Sequence, residues 1–84
     1  MMEKVLVEIF VPVVDATYDV FIPLTSQMAE VLELLKRAMT DLSDGRFMAN
    51  QETVICYRES GAIINVNMTV YDLGIRNGSK LMLI

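Results

Sequence analysis

Apolar and polar positions alternate early in the chain, in Val5-Leu6-Val7-Glu8-Ile9-Phe10-Val11. Alternation in a run rich in β-branched residues predicts a strand. With Glu8 toward water, Val5, Val7, Ile9 and Val11 face a core, and Leu6 and Phe10 share the outer face with Glu8. Pro12 has no N–H for a ladder, so pairing should end near it. Thr17-Tyr18-Asp19-Val20-Phe21-Ile22 repeats the pattern, with Tyr18, Val20 and Ile22 inward and Phe21 outward, and Pro23 closes it. The short connection Val13–Ala16 predicts an antiparallel hairpin.

The period then changes. Met28, Val31, Leu32, Leu35, Ala38, Met39 and Leu42 recur every three or four positions and form one helical stripe. Thr25 or Ser26 is the expected N-cap. Glu30, Glu33, Lys36, Arg37 and Thr40 occupy the other side, with Glu33 and Arg37 spaced for an i,i+4 pair. Gly45 and its polar neighbours should end the helix.

Arg46–Glu52 reads as a loop, Thr53–Tyr57 as a third strand, Arg58–Gly61 as its turn and Ala62–Val66 as a short fourth strand. Thr69-Val70-Tyr71-Asp72 has capping-box spacing and predicts one helical turn, which Gly74 can leave in a left-handed conformation. Asn77-Gly78 is a tight turn before a last strand, Ser79–Ile84. The order β-β-α-β-β-turn-β is α+β: a small sheet, one face of which the main helix must cover.

At 84 residues the chain is expected to form one domain, 1–84. It is 54% apolar, too hydrophobic for disorder. Its net charge is −4, and of its seven basic residues only Lys36 and Arg37 adjoin. That argues against nucleic acid, which needs a basic face. One cysteine, Cys56, forms no internal disulfide and favours a reducing compartment. No segment reads as a signal peptide, and no apolar run is long enough to span a bilayer. A cytoplasmic location follows as the expectation.

Catalytic chemistry is sparse. There is no His, so Cys56 lacks the usual base. Asp41, Asp44 and Gly45 hold only a fragment of a calcium loop. Met28 and Met39 are core residues by spacing before they are soft-metal ligands, and Met48 alone makes no site. Gly74 and Gly78 form no phosphate-binding pattern. No cofactor, no metal and no enzymatic activity are expected.

Thr69-Val70-Tyr71-Asp72-Leu73-Gly74-Ile75-Arg76-Asn77-Gly78-Ser79-Lys80-Leu81 resembles the segment before the last strand of ubiquitin-like domains. With the element order, it implies a β-grasp fold: a mixed sheet of four to five strands with one main helix on one face. Thr17-Tyr18-Asp19-Val20, Pro23, the Met28–Leu35 stripe and Gly74-Ile75-Arg76-Asn77-Gly78 are similar to YukD/EsaB, small ubiquitin-like accessory proteins of bacterial type VII secretion. That resemblance implies a cytoplasmic regulatory factor acting with a membrane-embedded secretion machine, without conjugation. Lys80-Leu81-Met82-Leu83-Ile84 agrees, because it lacks the Gly-Gly through which modifiers and sulfur carriers of this fold are activated. The alternative reading is a sulfur carrier or modifier with an activated C-terminus.

A protein partner is then the remaining expectation. Leu6, Phe10 and Phe21 should point away from the helix, joined by Met82 and Ile84 on the last strand, and a contiguous apolar set is a candidate docking face. Such a face would take a cytoplasmic domain of a secretion component, or a second copy in a homodimer; an exposed sheet edge offers strand addition. The competing expectation is that loops, or the 43–52 segment, cover part of it.

Overall fold

The computed structural model describes residues 3–84; Met1 and Met2, the first positions of the expected 1–84 domain, lie outside the described residues. The elements are β1 (Lys4–Val11), a single 3-10 turn (Pro12–Val14), β2 (Ala16–Pro23), α1 (Met28–Leu42), β3 (Ile55–Tyr57) and β4 (Lys80–Leu83). The sheet order is β2-β1-β4-β3. β1 and β4 are parallel at its centre, and the flanking pairs are antiparallel. A parallel pair needs a long crossover, and the helix with its following loops supplies it.

The alternation in β1 is realised in full: Val5, Val7, Ile9 and Val11 are buried. They pack with Ile22, with Leu81 and Leu83 of β4, with Ile55 of β3, and with Met28, Val31, Leu35 and Met39 of α1. The hairpin register sets Val5 opposite Ile22 and Val11 opposite Ala16. Between the strands, Asp15 takes a left-handed conformation (φ 49°) and donates its N–H to the Pro12 carbonyl at 3.0 Å. The turn also folds Val14 into the core.

The helix begins later than its side-chain signals suggest. Neither Thr25 nor Ser26 caps it; Gln27 occupies the N-cap position and makes no side-chain cap bond. Residues 24–27 form a turn, a bend and a bridge instead of helix because their backbone is engaged elsewhere: the Leu24 and Ser26 carbonyls accept N–H groups from Tyr71 and Val70. The first helical N–H groups find other acceptors, Met28 on the Met68 carbonyl and Ala29 on the Val66 carbonyl, both at 2.9 Å. The orphan donors of a helix start are thus satisfied by a distant loop. Leu42, expected in the stripe, is exposed in the final turn. Glu33 pairs with Lys36 at 3.0 Å, one position short of the expected Arg37. Asp44 and Gly45, both at positive φ, lead the chain out, and Phe47 returns to the core.

The expected fourth strand, Ala62–Val66, is not one. It makes a single bridge, Ile63 to Cys56, flanked by bonds between Tyr57 and Ala62 and between Ile64 and Ile55. Asn65 ends the pairing by accepting the Asn67 N–H on its own side chain. The Val66 and Met68 carbonyls then serve α1. β3 is shorter than its expected range because Thr53 folds back on Asn50. The 69–78 segment follows its signals: Thr69 Oγ1 accepts the Asp72 N–H at 3.0 Å, and Gly74 leaves the turn at φ 74°.

Candidate protein-docking face

The face of the sheet turned away from α1 is built by strand register. In β1 its residues are Leu6, Glu8 and Phe10, the alternates of the buried set. Leu6 lies opposite Phe21, Glu8 opposite Asp19 and Phe10 opposite Thr17. On the other side, Glu8 aligns with Lys80 and Phe10 with Met82. Met82 in turn faces Cys56, and the Arg58 N–H reaches the Lys80 carbonyl at 3.1 Å.

These pairings sort the face into rows across the strands. One short row is Phe21 and Leu6. The next is wholly charged and crosses the sheet in the order Asp19, Glu8, Lys80, Arg58. The third is Thr17, Phe10, Met82, Cys56. Ile84 continues the face beyond Met82, where it exchanges both backbone bonds with Val54.

The five residues singled out in the sequence therefore occupy one side of the sheet without forming one unbroken patch. Phe21 is 66% exposed, Ile84 52% and Leu6 37%, whereas Phe10 and Met82 are half-buried. Phe10 is partly covered by the Arg58 guanidinium, 4.2 Å from the ring centroid. Leu6 and Phe10 are four positions apart in β1, roughly 13 Å along the strand. Ile84 borders a hollow lined by Pro12, Val13, Phe47 and Met48. The 43–52 segment contributes to that hollow and buries Phe47. The charged row was not legible as a row, because Lys80 and Arg58 join Asp19 and Glu8 only once β4 is placed between β1 and β3.

Cys56 belongs to the same row as Met82 but is fully buried, its Sγ 3.6 Å from the Met82 carbonyl. Burial pushes its thiol above the ordinary range. A protonated, enclosed thiol is a packing group and a poor nucleophile. Among the described residues no cluster of His, Cys, Asp and Glu is arranged to hold a metal. Among the same residues no helix is long and apolar enough to cross a membrane.

A second feature lies at the side of the sheet. β2 is an end strand, and Leu24 donates to the Glu3 carbonyl. That parity turns the backbone groups of Tyr18, Val20 and Ile22 toward β1 and those of Thr17, Asp19 and Phe21 outward. Beside this edge runs a groove of about 280 Å³ between β2 and α1, lined by Val20, Phe21, Val31, Leu34 and Ala38 among others.

No family model and no curated protein matches the chain in sequence. Solved structures do match in fold. A chain of a toluene 4-monooxygenase HD complex with the inhibitor 4-bromobenzoate superimposes with a TM-score of 0.76 at 16% identity, covering 96% of both chains. The ubiquitin of Caldiarchaeum subterraneum gives 0.70 at 16% identity, over 98% of this chain and 92% of that one. The ubiquitin-like domain of the Mycobacterium tuberculosis type VII secretion protein EccD1 gives 0.67 at 18% identity, over 99% of both. The fold is therefore the ubiquitin-like β-grasp: a mixed four-stranded sheet with one helix across one face.

Proposed function

We propose that this chain is a non-conjugating ubiquitin-like interaction module, a cytoplasmic accessory factor of a bacterial type VII secretion system. The observation that carries the reading is the sheet face opposite α1, where Leu6, Phe10, Phe21, Met82 and Ile84 are available while the core is complete without them. Support for the secretion setting comes from the YukD/EsaB resemblance and from the ubiquitin-like domains of type VII secretion proteins among the structural matches. Two further observations favour binding over carrier chemistry. Leu83 is buried and Ile84 is bonded to Val54, so this stretch of chain is fixed in the sheet. The single thiol is enclosed.

The partner is a cytoplasmic domain of a membrane-embedded secretion component, docking on this face. Phe21→Ser and Phe10→Ser, made separately, are expected to stay folded and to lose capture of the cytoplasmic domains encoded beside the gene. Capture at wild-type level by both folded variants contradicts the reading. An adenylated, thiocarboxylated or isopeptide-linked product with an activating enzyme would replace it with the carrier.

A further inference from the structure

The charged row is peculiar in the order of its signs. Asp19 and Glu8 lie directly opposite one another on adjacent strands, and Lys80 and Arg58 lie side by side on the next two. Like charges directly across a sheet oppose each other. Among the described residues none of the four is in an ion pair; Glu33–Lys36 is the one that forms. Arg58 instead lies over the Phe10 ring. The row thus runs minus, minus, plus, plus, with Glu8 beside Lys80 at its centre and no ion pair closed between them.

That order is its own complement under a two-fold rotation. An axis parallel to the strands, midway between β1 and β4, lays β1 over β4 of a second copy and β2 over its β3. Glu8 then faces Lys80 of the copy, and Asp19 faces Arg58 of the copy. The same rotation sets Phe10 on Met82 and Met82 on Phe10. Sheets packed face to face keep their strands nearly aligned. Their twist opens the corners, so the central contacts of Glu8, Lys80, Phe10 and Met82 are the close ones. Arg58 reaches Asp19 by leaving the Phe10 ring, which frees that ring for Met82. A two-fold interface of this kind is isologous, each contact occurring twice.

We infer that the outer sheet face is the interface of a homodimer, joined by reciprocal Glu8–Lys80 contacts between copies and by Phe10 on Met82. The inference rests on reading this face as a docking surface and names its occupant in the isolated protein. A secretion component docking on the same face has to displace the second copy.

The test is sedimentation of the full chain and of two charge reversals, Glu8→Lys and Lys80→Glu. The wild type is expected to shift from monomer to dimer as its concentration rises, less readily at high salt. Each reversal alone places like charges against each other in the dimer and should weaken it by at least about tenfold. Mixed together, the two variants become complementary. One carries two basic side chains at positions 8 and 80, the other two acidic ones, and the rotation sets the basic pair on the acidic pair. An equimolar mixture should therefore form a heterodimer that neither variant forms by itself, an outcome no change within a monomer produces. Asp19→Lys mixed with Arg58→Glu repeats the design should a position 8 or 80 variant fail to fold. A wild type that stays monomeric throughout, reversals that dimerise as well as wild type, or a mixture that stays monomeric overturns the inference. If secretion-domain capture still depends on Phe10 and Phe21 in that case, the docking reading survives and only the second copy is refuted.

Discussion

Leu34 and Leu35 are chemically identical neighbours with opposite surroundings, 54% and 3% exposed. Leu35→Ala removes atoms from the packed interior and is expected to cost about 2–5 kcal/mol, whereas Leu34→Ala should cost under about 0.5 kcal/mol. Chemical denaturation of the two variants checks the contrast. The same scale decides the character of Cys56. Its thiol is held above the ordinary range by burial, so the folded state favours the protonated form. This contribution is fully present below the pH at which an unfolded thiol ionises, about 8.5, and declines as pH rises through the folded value. Stability should therefore fall more steeply on the alkaline side in the wild type than in Cys56→Ala. Native Cys56 should also resist a thiol reagent that labels the unfolded chain rapidly. These residues were legible in unequal measure. The stripe marked Leu35 and the strand marked Cys56, but the thiol's burial comes with pairing to β4, where its Sγ lies 3.6 Å from the Met82 carbonyl, far along the chain.

At the level of elements, local periodicity carried the hairpin and the helix, because β1, β2 and α1 each bury one face with its own repeat. It failed where long-range backbone bonds decide. Thr25 and Ser26 carry the right side chains for a cap, yet the 69–71 segment claims the backbone around them. Ala62–Val66 has strand-like residues, yet the Val66 carbonyl closes the start of α1. Both outcomes are visible in amide hydrogen exchange. First-turn helix amides ordinarily exchange fast, but those of Met28 and Ala29 are bonded to Met68 and Val66 and should be protected. In β2 the amides of Tyr18, Val20 and Ile22 should exchange slowly and those of Thr17, Asp19 and Phe21 quickly. A uniform rate along β2 would mean that its edge is covered. Thr25→Ala and Ser26→Ala should each change stability by under about 0.5 kcal/mol, since neither side chain holds the helix. Thr69→Ala, which removes an observed cap, should cost about 1 kcal/mol.

For the whole molecule, the fold separates the core from the proposed docking face. Helix and inner sheet face make the core, and the face proposed for docking lies on the other side of the sheet. The sequence pattern located that face and its five apolar residues. Its division by Asp19, Glu8, Lys80 and Arg58 emerged only from strand order, since the four residues lie on four different strands or strand ends. The proposal that binding is the protein's work is tested most directly by amide chemical-shift mapping during titration with a cytoplasmic domain of a secretion component encoded beside its gene. Shifts concentrated on Leu6, Glu8, Phe10, Phe21, Lys80 and Met82 are the predicted result. Shifts confined to the exposed side of α1, around Glu30, Glu33 and Arg37, would contradict it.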